Sequence, residues 1–159
     1  MQSEIPIRPV GFPERDLLIE MYDRFDPIGV AQGLPPHGPH RRREWVSSAL
    51  HHRVNLAGFT RSGSLAGHCF LATTDDDATA VELAIFVHQD YRRRGLGTAL
   101  TQAALDHAVR TGFTRVWCLA SSDNSAALRL LRRCGFRVRN SDVPEIELEI
   151  DLSPVLVEP

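Results

Sequence analysis

Val-Glu-Leu-Ala-Ile-Phe-Val-His-Gln-Asp-Tyr-Arg-Arg-Arg-Gly-Leu-Gly-Thr-Ala-Leu, residues 81–100, is the stretch of the sequence that decides the fold. Residues 81–87 are mostly large apolar or β-branched types, which are typical of a strand buried in a sheet. Apolar residues with helical spacing begin at Leu96 and continue beyond the stretch. The stretch therefore predicts a buried strand, a short basic turn and the start of a helix.

The turn between this strand and this helix reads Arg92-Arg93-Arg94-Gly95-Leu96-Gly97 and is suited to holding an anion. Glycines let the backbone approach a ligand closely, and the free N–H groups at a helix start favour negative charge. Arginines add charge for phosphate oxygens. The turn therefore predicts a site for the diphosphate of a nucleotide-like cofactor, and the alternative is a glycine-rich helix start that binds nothing. It is not a Rossmann or Walker sequence, because position 100 is leucine and no Gly-Lys-Ser/Thr follows.

The composition of the 159 residues is that of an ordinary globular protein, with 43% hydrophobic and 24% charged residues and a net charge of −2. A charge this small gives no indication of nucleic-acid or membrane binding. The first residues lack the basic and apolar pattern of a signal peptide. Three cysteines, Cys69, Cys118 and Cys134, share no metal-ligand spacing and are expected to be reduced and buried. We therefore expect one cytoplasmic domain spanning residues 1–159.

Periodicity along the chain predicts a strand, two helices, three strands, a helix, a strand, a helix and two strands. The fold class is then α/β (α+β), with about seven strands in a mixed sheet and about four flanking helices. A loop rich in proline and glycine, residues 26–40, separates the first two helices, and is either a functional lid or a surface connection. The helix after the basic turn is expected to bury Leu96, Ala99, Leu100, Ala103 and His107. The predicted ranges are 5–10, 13–24, 41–51, 54–60, 65–73, 81–87, 96–111, 113–120, 124–133, 136–139 and 145–152, with a tail over 153–159.

Two motifs give the sequence a family resemblance. Arg92-x-x-Gly95-x-Gly97 resembles the acyl-CoA signature of the GNAT superfamily of N-acetyltransferases. Asn124-x-x-Ala127-x-x-Leu130, followed by Gly135-Phe136, is similar to a second conserved block of that superfamily. The order of the elements also matches over roughly residues 5–151. The resemblance implies the GNAT fold and an N-acetyltransferase that uses acetyl-CoA as co-substrate and needs no metal.

The resemblance also implies which residues hold the co-substrate. The pyrophosphate of coenzyme A would lie on backbone N–H groups of the turn, contributed by Arg92, Arg93, Arg94, Gly95, Leu96, Gly97 and Thr98. The two central strands would separate after Val87, with pantetheine between them and bonded to the backbone of Phe86 and Val87. Asn124 would either contact pantetheine or cap its helix.

The catalytic residues depart from the usual family pattern at one position. A tyrosine that protonates the leaving thiolate commonly stands seven residues after the asparagine, and here that position is Leu131. Glu82 is the candidate base, because a carboxylate inside an apolar strand is costly unless it is used or paired. It should share a face with Ala84 and Phe86, and partial burial should raise its pKa. The same strand resembles that of the Pat-type protein lysine acetyltransferases, where a glutamate here is the base; the alternative is a structural glutamate in an ion pair.

Other polar residues are weaker candidates. His88 and Asp90 follow the strand end, and His68 could line the acceptor side. The remaining clusters are better explained as solvated loops and surfaces than as metal or acceptor sites, because no set has complete ligand spacing. These clusters are His37/His40, His51/His52, Asp75–Asp77 and Arg41–Arg43.

Taken together, the sequence predicts an acetyl-CoA-dependent N-acetyltransferase in which Glu82 is the base. The acceptor is a primary amine, either a protein lysine or a small molecule, and enters from the side of residues 26–52. No nucleic acid, membrane or metal is expected as a partner, and a homodimer is left open. The alternative function is a catalytically silent acyl-CoA-binding regulatory module, which the absence of the usual acid at Leu131 favours.

Overall fold

The computed structural model describes residues 5–29, 31–74, 76–142 and 144–153. These residues form seven strands and four α-helices, in the order β1 (Ile7–Val10), α1 (Arg15–Asp23), α2 (Pro39–His52), β2 (Val54–Phe59), β3 (Leu65–Thr74), β4 (Asp77–Val87), α3 (Leu96–Arg110), β5 (Arg115–Ser121), α4 (Ser125–Arg133), β6 (Arg137–Asn140) and β7 (Glu145–Asp151). The predicted tail lies outside the described residues from position 154 onward. So do Asp75 of the predicted acidic turn and residues 1–4 at the chain start.

The strands build one mixed sheet with the order β1-β2-β3-β4-β5-β7-β6. Among them β4 and β5 run parallel, and every other neighbouring pair runs antiparallel. A parallel pair needs a crossover connection, which α3 supplies between β4 and β5. The predicted fold class, a mixed sheet flanked by helices, is confirmed.

Strand β4 divides its side chains between two cores, because successive residues of a strand point to opposite faces. Val81 and Leu83 join the core that α3 and α4 cover, together with Leu100. Phe86 joins the core that α1 and α2 cover, together with Tyr22. Glu82 therefore lies on the α1/α2 face, as its position in the strand predicts.

The start of β4 was predicted too late. The strand begins at Asp77 instead of residue 81, although residues 77–80 are Asp-Ala-Thr-Ala and have no apolar alternation. Pairing explains the extension, since Asp77 lies opposite Thr74 of β3. On the other side, the Thr79 carbonyl accepts the N–H of Thr114 at 2.9 Å. Neighbouring strands therefore fix this end of β4.

The buried face of α3 also differs from the prediction. Ala99 is exposed, and Ala103 and His107 are only half-buried. Alanines occur on several sides of this helix, so the spacing of small residues does not fix which side faces the sheet. The buried residues of α3 are Leu96, Gly97, Leu100, Thr101, Ala104, Leu105 and Ala108.

The loop between α1 and α2 is held by hydrogen bonds of its own. Ala31 and Leu34 bond each other at 3.1 and 3.0 Å, and Gly29 N–H donates to the Pro35 carbonyl at 3.0 Å. Pro35 is fully buried. This arrangement favours a connection over a lid, and the predicted loop 26–40 ends two residues early because α2 begins at Pro39. The three cysteines are free and buried, as predicted, and no helix in the described part of the chain is long and apolar enough to cross a membrane.

Candidate functional site

A gap between two adjacent strands is the central feature of the site. The pairs between β4 and β5 end at Glu82 and Trp117, whereas β4 remains paired with β3 up to Val87. The prediction that the strands separate after Val87 is therefore wrong, because they separate five residues earlier, directly after Glu82. The candidate base lies where the gap begins.

Backbone groups of alternate β4 residues face this gap. His88 donates its N–H to the Ala66 carbonyl of the β3 side at 2.9 Å. In an antiparallel ladder, the backbone groups of successive residues alternate between the two sides. Those of Leu83, Ile85 and Val87 therefore point toward β5. The last pair, Glu82 with Trp117, uses the Leu83 N–H, and beyond it the described strands pair with neither Ile85 nor Val87. An extended ligand can bond to such an unpaired edge as an added strand does.

The same alternation distinguishes the two predicted backbone contacts. The N–H and carbonyl of Phe86 lie in the ladder opposite His68 of β3, whereas those of Val87 face the gap. The Val87 carbonyl accepts a hydrogen bond from Arg92 Nε at 3.0 Å. The Val87 N–H is then the group left facing the gap. Contacts of Phe86 and Val87 with a cofactor stay predictions, and the register favours Val87.

The basic turn forms a concave backbone surface at the end of β4. Arg93 and Gly95 have φ angles of 63° and 79°, both in the left-handed region, and such turns gather successive N–H groups around an anion. Ala99 N–H makes the first described bond of α3, to the Gly95 carbonyl at 3.0 Å. Among the described residues, no acceptor bonds the N–H groups of residues 93–98. Together these groups form a cradle of free donors, called the N–H cradle below.

The three arginines of the turn differ in what they contact. Arg92 bonds the Val87 carbonyl and lies with its guanidinium carbon 5.4 Å from the centre of the Phe25 ring. Burial lowers the pKa of Arg92. The guanidinium of Arg94 lies 5.5 Å from the Tyr91 ring, and both Arg93 and Arg94 are exposed. Arg92 therefore braces the turn through its Nε, and all three arginines are exposed at the turn.

Gly97 is needed for helix packing. A Cβ atom at this position would lie 2.5 Å from Leu130 Cδ1 of α4 and 3.7 Å from Val87 Cγ2. The missing side chain thus lets the first turn of α3 approach both α4 and the end of β4. A bulky residue at Gly97 would disturb this packing as well as a bound phosphate.

Asn124 and Leu131 mark the two ends of the second motif. The Asn124 side chain accepts the N–H of Ala127 at 3.1 Å, so it caps α4 in this structure. A contact with pantetheine stays a prediction. Leu131 is buried in the α3/α4 core, 4% exposed. A buried leucine cannot donate a proton, so the position that commonly holds the acid is filled by packing.

Glu82 has the environment expected of a base. It is half-buried between Ala72 of β3 and Trp117 of β5. Burial raises the pKa of its carboxyl, and the positive charge of Arg53 counters part of that rise. Among the described residues, no hydrogen bond or ion pair under 4.0 Å holds the carboxylate. The structure therefore does not support the alternative of a structural ion pair.

Two residues near Glu82 were missed by sequence reasoning. Trp117 lies beside Glu82 on the same face, and Leu119 follows on the far side of the gap. The sequence pattern of β5 does not show that Trp117 and Leu119 lie near Glu82, because this depends on how β5 is aligned with β4. Beyond Leu119 the face is open, with a cleft of about 350 Å³ lined by Leu119, Asn140, Asp142, Pro144, Glu145 and Glu147.

A chain of buried polar groups lies on the α1/α2 face of the sheet. Asn55 Nδ2 donates to the carbonyls of Ala49 and Arg53 at 2.9 and 3.0 Å, which orients its Oδ1 toward His68 Nε2 at 2.8 Å. His68 Nε2 therefore carries the proton, and Nδ1 accepts from the Tyr22 hydroxyl at 2.6 Å. His68 was predicted as a residue that could line the acceptor side, and instead it is 1% exposed with both ring nitrogens bonded.

This buried histidine makes stability depend on pH. Burial lowers the pKa of His68 to about 3 in the folded protein, against about 6.5 in an unfolded chain. The unfolded state therefore binds more protons as the pH falls through about 6.5. The free energy of unfolding should fall by about 0.7 kcal/mol from pH 7 to 6 and by about 1.2 kcal/mol from pH 6 to 5. Urea unfolding at pH 7, 6 and 5 measures this slope. A flat profile, or an equal slope after His68→Gln, would contradict it, and His107→Gln is the matched control.

Of the two weaker candidates at the strand end, His88 is held by hydrogen bonds, whereas the Asp90 side chain is exposed. The ring of His88 is buried, with Nε2 3.1 Å from the Arg24 carbonyl and Nδ1 3.3 Å from the N–H of Asp90. Gln89 also donates to the Arg24 carbonyl, at 2.6 Å. These bonds tie the end of β4 to the end of α1. Within the described ranges, no three His, Cys, Asp or Glu side chains come together as a group that could hold a metal ion.

The chain is similar in sequence to known acetyltransferases. The model of the acetyltransferase (GNAT) family matches residues 16–136. The mycothiol acetyltransferase of Salinispora arenicola is 40% identical over 113 residues, 69% of this chain and 34% of that protein. The ribosomal protein bS18-alanine N-acetyltransferase of Escherichia coli K12 is 32% identical over 77 residues, 48% of this chain and 51% of that protein.

Solved structures share the fold at low sequence identity. The GNAT domain of PAT from S. lividans superposes with a TM-score of 0.78 and 21% identity, over 92% of this chain and 89% of that one. The chain spans about a third to a half of the length of the two curated relatives.

Proposed function

This chain belongs to the acetyltransferase (GNAT) family, and on that premise we propose that it transfers an acetyl group from acetyl-CoA to a primary amine. One observation carries the proposal. The gap between β4 and β5 begins beside Glu82 and lies along the part of β4 that ends next to the N–H cradle. A thioester lying in the gap would therefore have a carboxylate at one end and an anion site at the other.

The co-substrate fits the cradle and the gap by its chemistry. A diphosphate would accept bonds from the free N–H groups of residues 93–98, with Arg93 and Arg94 adding charge. The amides of pantetheine would bond the backbone groups of Ile85 and the N–H of Val87 in the gap. The predicted binding residues remain those of the turn together with Phe86, Val87 and Asn124.

The proposed chemistry is direct attack by the amine. Glu82 accepts a proton from the acceptor ammonium, directly or through a water, and the neutral nitrogen attacks the thioester carbon. A backbone N–H in the gap stabilises the oxyanion. The C–N bond forms, the C–S bond breaks, coenzyme A leaves as the thiolate, and the nitrogen gives up its second proton to water. With an unperturbed pKa of about 8.5, this thiolate is a tolerable leaving group without an acid at Leu131.

The acceptor is a primary amine that reaches Glu82 from the α1/α2 face. The two relatives differ here, since one is named for mycothiol and the other for the alanine of a ribosomal protein. A small-molecule amine and a primary amine of a protein both belong to the proposal, and the resemblance of β4 to the Pat-type strand keeps a lysine among the latter. We also propose a single domain, because all the described strands share one sheet, and a cytoplasmic location, because the three cysteines are free.

An acceptor panel tests the proposed function. Acetyl-CoA is incubated with the protein and with small amines, lysine peptides and peptides with a free N-terminus, and mass spectrometry identifies the products. We expect N-acetylation within one of these classes, at a rate at least about tenfold above the others, because an acceptor site that buries polar groups rejects poorly matched ligands. The absence of any N-acetylated product across the panel would contradict the proposed function.

The second candidate function is an acyl-CoA-binding regulatory module, which the buried Leu131 favours. Thiol release in the presence of an amine distinguishes the two functions. A module would bind coenzyme A tightly while releasing no thiol with any amine. Tight binding without turnover would therefore favour the module over the enzyme.

A further inference from the structure

Arg53 lies in the same cross-strand row as Glu82. Val54 of β2 pairs with Leu71 of β3, so Arg53, one residue earlier, lies beside Ala72. Ala72 in turn pairs with Glu82 of β4. Asn55, two residues after Arg53, pairs with Phe70 on the α1/α2 face, so all three side chains of the row share that face. Two strand spacings, about 9.5 Å, separate the backbones of Arg53 and Glu82.

The side chain of Arg53 is held over this face. Its guanidinium carbon lies 4.5 Å from the centre of the Phe70 ring, a distance at which a cation and an aromatic face attract each other. Its backbone carbonyl accepts a bond from Asn55 at 3.0 Å. The residue between Arg53 and Glu82 is alanine, whose short side chain puts no bulky group between the two. An arginine side chain fixed on Phe70 can therefore act on the carboxylate across Ala72.

The other charged and titratable groups around Glu82 leave Arg53 uncompensated. His68 and Tyr22 are buried and bonded to each other as neutral groups. Arg115 lies on β5 but pairs with Glu149 at 3.0 Å and Asp77 at 3.5 Å. Arg53 makes no ion pair under 4.0 Å among the described residues. The titratable groups on the elements around Glu82 include Tyr22 on α1, His52 on α2, His68 on β3, Asp77 on β4, Arg115 and Cys118 on β5, and Glu147 and Glu149 on β7.

We propose that Arg53 is a positioning residue for the reaction, whose guanidinium, held on the Phe70 ring, keeps the Glu82 carboxyl ionised and directed toward the acceptor amine. This inference rests on the proposed function, in which Glu82 is the base. Burial alone disfavours the charged carboxylate. The positive charge offsets that cost and lets Glu82 accept a proton near neutrality. The influence of Arg53 on the pKa values of both Glu82 and His68 agrees with a guanidinium lying over this face.

The test compares pH profiles of kcat/KM for wild type, Arg53→Gln and Arg53→Lys. Arg53→Gln should move the acidic limb upward by about 0.5–1 pH unit, as expected for losing one opposite charge at this range. One pH unit below the wild-type midpoint, activity should fall by about three- to tenfold. Arg53→Lys should restore at least half of the shift. Arg8→Gln is the matched control, because Arg8 also stacks on a ring, that of Phe59, at 3.9 Å. Arg8 lies on β1, in the cross-strand row of Phe86, and is therefore far from Glu82.

A second readout separates this proposal from the proposed function. Titration of the Glu82 carboxyl by carbon-13 NMR, assigned with Glu82→Gln, measures its pKa in wild type and Arg53→Gln without any turnover. An upward shift in Arg53→Gln supports the proposal even if no acceptor is found. The proposal is overturned if the pKa of Glu82 is the same in wild type and Arg53→Gln. It is also overturned if Arg53→Gln loses activity equally at every pH while the acidic limb of kcat/KM stays in place, whatever the change in KM. Circular dichroism of each variant checks that the fold is retained.

Discussion

Replacing Glu82 with glutamine is expected to lower kcat/KM for acetyl transfer by about 10²- to 10⁴-fold at neutral pH, the usual contribution of a general base. Glutamine has nearly the same shape and can occupy the same place between Ala72 and Trp117, so the loss would report the carboxylate. Because Glu82 is half-buried, the free energy of unfolding should change little. The measurement is thiol release with the best acceptor, at saturating acetyl-CoA.

The outcome for Glu82→Gln is judged against two comparisons. Asp106→Asn removes an exposed carboxylate from the outer side of α3 and should leave the rate unchanged. Coenzyme A affinity should also be retained in Glu82→Gln, because the N–H cradle lies at the other end of the gap. Full activity in Glu82→Gln would show that Glu82 is not the base.

Replacing Thr98 with glutamate is expected to weaken coenzyme A binding by about 10- to 100-fold, since a carboxylate would then face the diphosphate at short range. Thr98 is exposed in the first turn of α3. An acidic residue in that turn is favourable to a helix, so the substitution should not destabilise the fold. This separates it from a substitution at Gly97, where a side chain would collide with Leu130. Isothermal titration calorimetry with coenzyme A measures the effect.

Thr98→Gln is the matched control for Thr98→Glu, because it adds the same bulk without the charge. We expect its affinity to stay within a few-fold of wild type, and the affinity lost in Thr98→Glu to be partly recovered at high salt. Equal affinity of Thr98→Glu and wild type for coenzyme A would mean that the diphosphate lies elsewhere.

The strand that carries Glu82 could be predicted because its information is local. Alternation over residues 81–87 fixes which side chains share a face, and the structure places Glu82 with Phe86 as that alternation requires. The turn that follows is marked by two glycines and by the start of helical spacing. For Asn124 the sequence left two roles open, a contact with pantetheine or a helix cap, and the structure shows the cap.

Features that depend on how distant strands pair could not be predicted. The gap begins at Glu82 because β5 leaves β4 there, and nothing in the sequence of either strand marks the point. The row of Arg53, Ala72 and Glu82 requires the register of three strands. The buried side of α3 was assigned wrongly at Ala99 because several sides of that helix carry alanine. Each of these three features is determined by tertiary packing, about which a local sequence pattern carries no information.

The most direct test of the central claim measures both products of one reaction. The protein, acetyl-CoA and the best acceptor are mixed, and free coenzyme A thiol and N-acetylated amine are quantified over time for wild type and Glu82→Gln. The account predicts that the two products accumulate in equal amounts with wild type, and that both nearly disappear with Glu82→Gln. Thiol release without N-acetylated product, or bound coenzyme A with neither product, would contradict it.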